Sequence, residues 1–294
     1  MRYIPNRFVH IIAIVLLATG ARSQSPPPDH VVSVPVANMY SSATDDSEVV
    51  SQAIAGMNVV TIDSREDWAK VRTADGYAGW ISAAVLRPLR DSHPYATSEA
   101  TVQVESLFAN LYRETDVTAH KPVLTIPFES RLEVVAEGSG NDAGWMEVRL
   151  PDQSRAWIQS GDVVRDPRPL TIAQSITLAK RFLGIPYLWG GRSTFGYDCS
   201  GFTQMLVRQR GINMPRDADL QAAWDGVIAI DRKDLQPGDL LFFGSSPSNI
   251  THTGMFIGGG EFIHDTTQDH PVVHVSRLDD EPWTRTLVAC RRVK

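Results

Sequence analysis

Cysteine is nearly absent from this chain: among 294 residues there are only Cys199 and Cys290. That excludes a disulfide-stapled scaffold and a cysteine-rich metal module. What stays open is one bridge between the two, or a free thiol with chemistry of its own. Positive charge is scarce as well. The 28 Lys and Arg are outnumbered by 34 Asp and Glu, for a net charge of -6. No basic stripe exists to track a phosphate backbone, so nucleic acid is not an expected partner. Metal-ligand spacings and a phosphate-cradling glycine loop are missing, so neither a metal nor another cofactor is expected. Long hydrophobic runs are lacking too. The longest, residues 9–17, contains His10 and falls well short of the roughly 20 apolar residues that span a bilayer. Arg2 and Arg7 precede it; Ala18, Gly20, Ala21 and Ser23 follow. This is the three-part pattern of a secretory signal peptide over 1–23, cut after Ala21 or Ser23. A secreted or periplasmic protein without stable membrane insertion is the expectation.

What is present organises into three parts. A Pro-rich linker over 23–30 leads into a β-rich region, 31–90, built from short apolar runs divided by turn residues. A second linker precedes another β-rich region, 100–165, which echoes the first. Asn38-Met39-Tyr40 returns as Asn110-Leu111-Tyr112. Trp68-Ala69-Lys70-Val71-Arg72 returns as Trp145-Met146-Glu147-Val148-Arg149, and Gly79-Trp80-Ile81 as Ala156-Trp157-Ile158. The last two echoes share one offset, so the chain carries two copies of one small β module. After a third linker with Pro167 and Pro169, the remainder, 171–294, changes character. Thr171 caps a predicted helix with Ile172, Ile176, Ala179 and Leu183 on its apolar face, closed by Gly184 and Pro186. A second helix is predicted from Cys199, carrying Phe202, Leu206 and Val207 and ending at Gly211. Strands follow over 239–243, 252–257, 261–264, 272–275 and 286–293, an α+β plan.

Two of these segments carry candidate chemistry. Cys199 lies between Gly196 and Gly201 at the predicted start of a helix, where free N–H groups and a partial positive charge favour thiolate and can hold an oxyanion. His252 opens one apolar strand and His264 sits on the next. Adjacent antiparallel strands can bring them together as a base and the group that orients it. Taken alone, Cys199 reads equally well as a packed cysteine, and either histidine as a bystander among eight.

Six motifs in order break that tie. They are Tyr187-Leu188-Trp189-Gly190-Gly191, Asp198-Cys199-Ser200-Gly201-Phe202, Met214-Pro215-Arg216-Asp217 with Gln221, Gln236-Pro237-Gly238-Asp239-Leu240, the segment from His252 through Gly254 to Gly258, and Phe262-Ile263-His264. Together they resemble the NlpC-type murein cysteine peptidases, across essentially all of 171–294. The β modules resemble bacterial SH3-like barrels, which often flank wall-active enzymes. The fold class implied is an α+β papain-like catalytic domain preceded by two small all-β SH3-like barrels.

The resemblance implies Cys199 as nucleophile, His252 as general base, His264 as orienting residue and Tyr187 beside the thiol at the oxyanion. It implies Asp198, Ser200 and Arg216 as substrate-binding residues, with Asp198 receiving a free amine. In a similar subgroup the first barrel closes one end of the groove; by that likeness Glu48 and Tyr77 also grip the amine. The reaction implied is hydrolysis between γ-D-glutamate and the diamino acid of peptidoglycan stem peptides or murein fragments, with L-alanine free. Many relatives carry serine where this chain has Ala218. Two other readings are a wall-binding protein with an inert third domain, and a thiol amidase or acyltransferase. Cys290 reads as a packed core cysteine, and a monomer is the default.

Overall fold

The computed structural model describes residues 26–90, 93–98 and 100–294; the expected signal peptide lies outside them. Among the described residues no helix is long and apolar enough to cross a membrane.

The repeat read from the sequence is a repeat of topology. Seven strands from His30–Val32 to Leu86–Pro88 pair in the order third, second, sixth, fifth, fourth, first, seventh. Seven more, from Thr101–Val104 to Val163–Val164, pair in the same order. Alternation along each strand turns one face inward. Val32, Met39, Val71 and Ile81 fill the first barrel; Leu111, Leu132, Val148 and Ile158 fill the second. The echoed aromatics do the same work twice. Tyr40 meets Trp68, and Tyr112 meets Trp145, each edge to face at 5.5 Å and 89°. Part of the second linker is packed rather than loose. Tyr95 is buried, exchanges two backbone hydrogen bonds with the Asn58 side chain, and donates its hydroxyl to the Arg149 carbonyl. One tyrosine thus ties the two barrels together.

In the third part, Thr171 caps helix α1 (Ile172–Arg181) in a reciprocal box with Gln174. Its buried face differs from the expected one. Ser175, Leu178 and Ala179, with Phe182 at the cap, face the core, while Ile172 and Leu183 are exposed. The shift follows from a polar anchor: the Ser175 hydroxyl donates to the Leu206 carbonyl and turns the helix onto its neighbour. That neighbour is α2 (Cys199–Arg208), which stops short of Gly211 and is buried at every position from Cys199 to Val207. It packs against a six-stranded antiparallel sheet whose order is Val227–Ala229, Leu287–Val293, Leu240–Ser246, Asn249–Gly258, Glu261–Thr266, Val272–Arg277. The first of these strands and the short helix α3 (Ala218–Ala223) had no signal in the hydrophobic pattern. Cys290, unbridged, packs with Leu241, Phe243 and Phe256 as a core residue.

Both barrels grip α2 through polar groups. Glu129, at the end of a turn in the second barrel, takes Arg208 at 2.9 and 2.6 Å and also accepts from Gln209. Asp75 of the first barrel accepts from Gln204 at 3.0 Å. Burial works to raise the Glu129 carboxyl, but Arg208 more than offsets it and holds the group below its usual range. Asp265 is the opposite case. It is fully buried, neither oxygen has a hydrogen-bond partner in the protein, and burial followed by the nearby Asp198 charge pushes it up to about 8.

These two carboxyls give opposite pH signs. Glu129 is depressed in the fold, so its contribution is present above the ordinary carboxylate range and lost as pH falls through its folded value. Glu129→Ala is expected to lose about 3 kcal/mol at pH 7 by stranding Arg208, and progressively less in acid. Asp265 is raised, so the folded state holds a proton that the unfolded state has released between about pH 4 and 8. Asp265→Asn is therefore expected to stabilise the protein by on the order of 2 kcal/mol at pH 7, with no gain at pH 4. Urea unfolding at both pH values checks each sign; a destabilised Asp265→Asn protein at pH 7 would sink the second.

Candidate active site

The site begins with how α2 starts. Asp198 is its N-cap, accepting from the Gly201 N–H at 2.7 Å. The same carboxylate is paired with Arg216 through both oxygens, at 2.9 and 2.6 Å. Arg216 spends its remaining donors on Ser200 Oγ at 2.8 Å, the Gly191 carbonyl at 3.1 Å and Ser51 Oγ of the first barrel at 3.3 Å. All five of its N–H groups are taken, and the residue is buried. Gly201 is required here: a Cβ would lie 2.2 Å from the Gly191 carbonyl oxygen. Gln221 locks the arrangement from α3. Its amide donates to the carbonyls of Ser200, Pro215 and Arg216, and its oxygen accepts from Thr203.

This adds an internal role to those expected for the two residues. Arg216 has no donor left for a substrate carboxylate, whereas Asp198 Oδ2 accepts only from Arg216, keeps a second lone pair, and belongs to a residue that lines the cleft around Cys199. They form an internal clamp that fixes the first turn of α2. Ser200 lies between them, donating to Asp198 at 3.2 Å and lining the cleft above.

The clamp puts Cys199 at the first helical position, with the Thr253 and Ser200 N–H groups facing its sulfur. Other neighbours act on the thiol against the helix end. Burial, then the adjacent Asp198 charge, push the thiol up to about 12 against those N–H groups and Arg216. Helix-end polarity is the weaker effect once the sulfur is out of water.

His252 and His264 do come together. His252 Nε2 is 2.8 Å from His264 Nδ1, and His264 Nε2 is 3.0 Å from Ser276 Oγ on the following strand. Three adjacent strands each supply one member of this chain. Gly254 makes room for it, because a Cβ there would sit 3.0 Å from that of His264 and 2.8 Å from the Phe262 ring. Trp283 closes the outside, edge-on to His264 at 4.8 Å and tilted over His252 at 5.2 Å. Burial, with His274 as a further cation-disfavouring neighbour, pushes His252 down to about 3; burial likewise holds His264 well below its ordinary value. Thiol and imidazole are therefore each neutral when considered alone. Moving a proton from one to the other creates two opposite charges close together, and their attraction offsets the desolvation of both.

With His252 Nε2 engaged, Nδ1 is the ring nitrogen left to take a proton. Nε2–H must then donate to His264 Nδ1, which leaves the His264 proton on Nε2, donated to Ser276. Ser276 accepts at the end of the chain in this arrangement. No motif announced it; it is found only by following the strand register, in which His264 faces His274.

Two clefts meet beside Cys199 and His252. One, of about 480 Å³, contains Cys199, Ser200, Asp217 and, from the first barrel, Glu48 and Tyr77. The other, of about 530 Å³, contains His252 and Trp283. Tyr187, Trp189 and Thr251 line both. Glu48 and Tyr77 are thus brought to the site from outside the third domain. Trp189 donates its indole N–H to Glu48 at 3.0 Å, joining the barrel to the cleft wall. Burial, then the Asp217 charge, push Tyr77 up to about 12, and burial raises Tyr187 further; both are neutral hydroxyls. Asp217, also raised by burial, was read in the sequence only as part of a motif.

Comparison with known proteins agrees with this architecture. Residues 184–292 match the NlpC/P60 family, and residues 39–86 match the bacterial dipeptidyl-peptidase Sh3 domain. A gamma-D-glutamyl-L-lysine dipeptidyl-peptidase of Bacillus cereus is 33% identical over 244 residues, covering 78% of this chain and 71% of that protein. A protein of the same name from Bacillus subtilis is 28% identical, covering 84% and 82%. The crystal structure of an NlpC/P60 family protein from Bacillus cereus superposes with a TM-score of 0.77 at 27% identity, over 90% of this chain and 99% of that one. With a thiol at a clamped helix start, a histidine chain across three strands and two SH3-like barrels ahead of them, this chain belongs to the NlpC/P60 family of cysteine peptidases.

Proposed function

We infer that this enzyme hydrolyses the amide between γ-D-glutamate and the diamino acid of peptidoglycan stem peptides whose L-alanine is free. The observation that carries the reading is the cleft around Cys199. It ends at the first barrel in a wall made by Glu48, Tyr77 and Trp189, with Asp217 nearby. Carboxylates lining the cleft suit a short acyl chain bearing an ammonium. The amine-binding role falls to Asp198, whose Oδ2 keeps an acceptor site, together with Glu48 and Tyr77, with Asp217 nearby.

Cys199 Sγ attacks the γ-carbonyl carbon while His252 Nδ1 takes the thiol proton. The oxyanion is held by N–H groups at the start of α2, with the neutral Tyr187 hydroxyl beside it. His252 then gives its proton to the leaving nitrogen, the C–N bond breaks and a thioester remains. Water attacks the thioester, again losing a proton to His252, and the thiol is restored. His264 and Ser276 are positioning residues that keep Nδ1 of His252 unprotonated before attack. Trimmed murein fragments, rather than intact strands, are the substrates, met outside the cytoplasm after removal of residues 1–23; N-terminal sequencing of the exported protein tests that last point.

The direct assay compares L-Ala-γ-D-Glu-diaminopimelate with its N-acetylated form, identifying products by mass. The free peptide is expected to release L-Ala-γ-D-Glu, the acetylated one to react at least about 100-fold more slowly, and Cys199→Ala to lose activity by about 10³-fold or more. A new amide or ester in place of a free carboxylate would indicate acyl transfer; no loss in Cys199→Ala would indicate an inert third domain. Ser276→Ala is expected to lower kcat about tenfold with KM little changed, and to move the acid limb of the pH profile, while Ser276→Thr restores both. An unchanged profile in Ser276→Ala would remove Ser276 from the chain.

A further inference from the structure

A separate cavity lies where the three domains meet. Its volume is about 430 Å³, and it shares no lining residue with the clefts beside Cys199 and His252. The first barrel contributes Met57, the second Glu129 and Arg131, the linker Arg168, and the third domain Arg192 and Arg208. Cavities of roughly 300–1,000 Å³ at domain boundaries are the usual seats of small ligands.

Its charge runs against that of the chain. The protein carries a net charge of -6, yet four guanidiniums line this cavity against one carboxylate. That carboxylate, Glu129, is spent on Arg208 and Gln209. Arg192 is left under-partnered. It is only 6% exposed, but its Nε has no hydrogen-bond partner in the protein, its Nη1 meets only the Met57 thioether at 3.4 Å, and its Nη2 stands 3.7 Å from Asp75. A thioether is a weak acceptor, and buried polar groups are normally hydrogen-bonded. Arg216, just as deeply buried, has an oxygen for every donor. Burial, then the Arg208 charge, push Arg192 down to about 10, so its charge is disfavoured where it stands.

The arginines are also graded by depth. Arg192 is buried and Arg208 largely so, whereas Arg131 and Arg168 are exposed. The outer two also border an adjoining cleft of about 360 Å³, whose lining includes Asp166. Ile54, Ala55, Pro167 and Pro169 supply apolar wall. A cation would meet four like charges here, and a neutral molecule would do nothing for Arg192. A small inorganic anion would serve one end and leave the apolar wall uncovered. An organic molecule with an acid at each end answers the inner guanidinium, the outer pair and the wall together.

We propose that this cavity binds a small organic dianion, with one acidic group on Arg192, the other on Arg131 and Arg168, and an aliphatic body against the apolar wall. Bound there, the ligand bridges both barrels and the third domain, so it stabilises their assembly. The site is independent of the peptidase reaction.

The test titrates the intact protein at pH 7 with the aliphatic dicarboxylates glutarate and pimelate, and with inorganic phosphate, butyrate and 1,5-diaminopentane for comparison. Calorimetry is expected to give the tighter dicarboxylate a Kd below about 1 mM. At ten times that Kd the unfolding midpoint should rise by about 3 °C. Phosphate and butyrate are expected to bind at least tenfold more weakly, and the diamine not at all. The double variant Arg131→Gln, Arg168→Gln alters two exposed side chains, and Asn213→Asp adds a negative charge at another exposed position in the lining. With circular dichroism matching the wild type, the first should weaken the dicarboxylate at least tenfold and the second at least threefold. Absence of binding by both dicarboxylates overturns the inference. So does phosphate binding as tight as theirs, or dicarboxylate binding that survives the double variant. None of these measurements needs turnover, so their failure leaves the peptidase reading untouched.

Discussion

The buried pair of Asp198 and Arg216 is the constraint on which the site depends. Two opposite charges held out of water are tolerated only when nearly every donor and acceptor is used. Here one carboxylate both caps α2 and closes a two-pronged contact with a guanidinium whose five donors are all satisfied. Arg216 reaches Gly191 on one side, Ser200 on another and Ser51 of the first barrel on a third. The glycine-rich turn, the nucleophile's helix and the neighbouring barrel are therefore held at one point. The pair contributes rigidity under the sulfur, and Asp198 still lines the cleft beside it.

From that point the structure divides labour by solvent access. Burial raises the thiol and lowers the imidazole, so each favours its neutral form until a proton passes between them. His264 and Ser276 spend their hydrogen-bonding capacity on fixing which nitrogen of His252 is free. The clefts stay open on either side, and their charges differ: acidic beside Cys199, uncharged beside His252. The first barrel is part of the site, because Glu48 and Tyr77 line the cleft beside Cys199 and Glu48 accepts from Trp189.

Sequence reading succeeded where the signal was local or ordered. The doubled tryptophan and tyrosine positions foretold two barrels of one topology, because the same aromatic pair must close each small core. The six ordered motifs located the thiol and both histidines. It failed where partners compete. Asp198 was placed only at the substrate, and its pairing with Arg216, eighteen positions on, carried no signal in the sequence. Cys199 looked activated by its helix, but the depth of its burial is set by strands far along the chain. On α1 the apolar spacing was read a step off, since Ser175 serves as a buried anchor that hydrophobic periodicity cannot register.

The sequence by itself determined the α+β order behind two β modules, the helix start at Cys199, and the strand alternation that turns His252 and His264 to one face. These follow from periodicity, capping and backbone sterics, which act over a few residues. Only the tertiary structure decided that Ser276 completes the histidine chain, that Asp198 belongs to Arg216, that Asp265 sits unpartnered in the core, and that one cleft is acidic and the other uncharged. Each of those depends on which distant groups share a low-dielectric neighbourhood, and burial and Coulomb energies are set by proximity in space rather than along the chain.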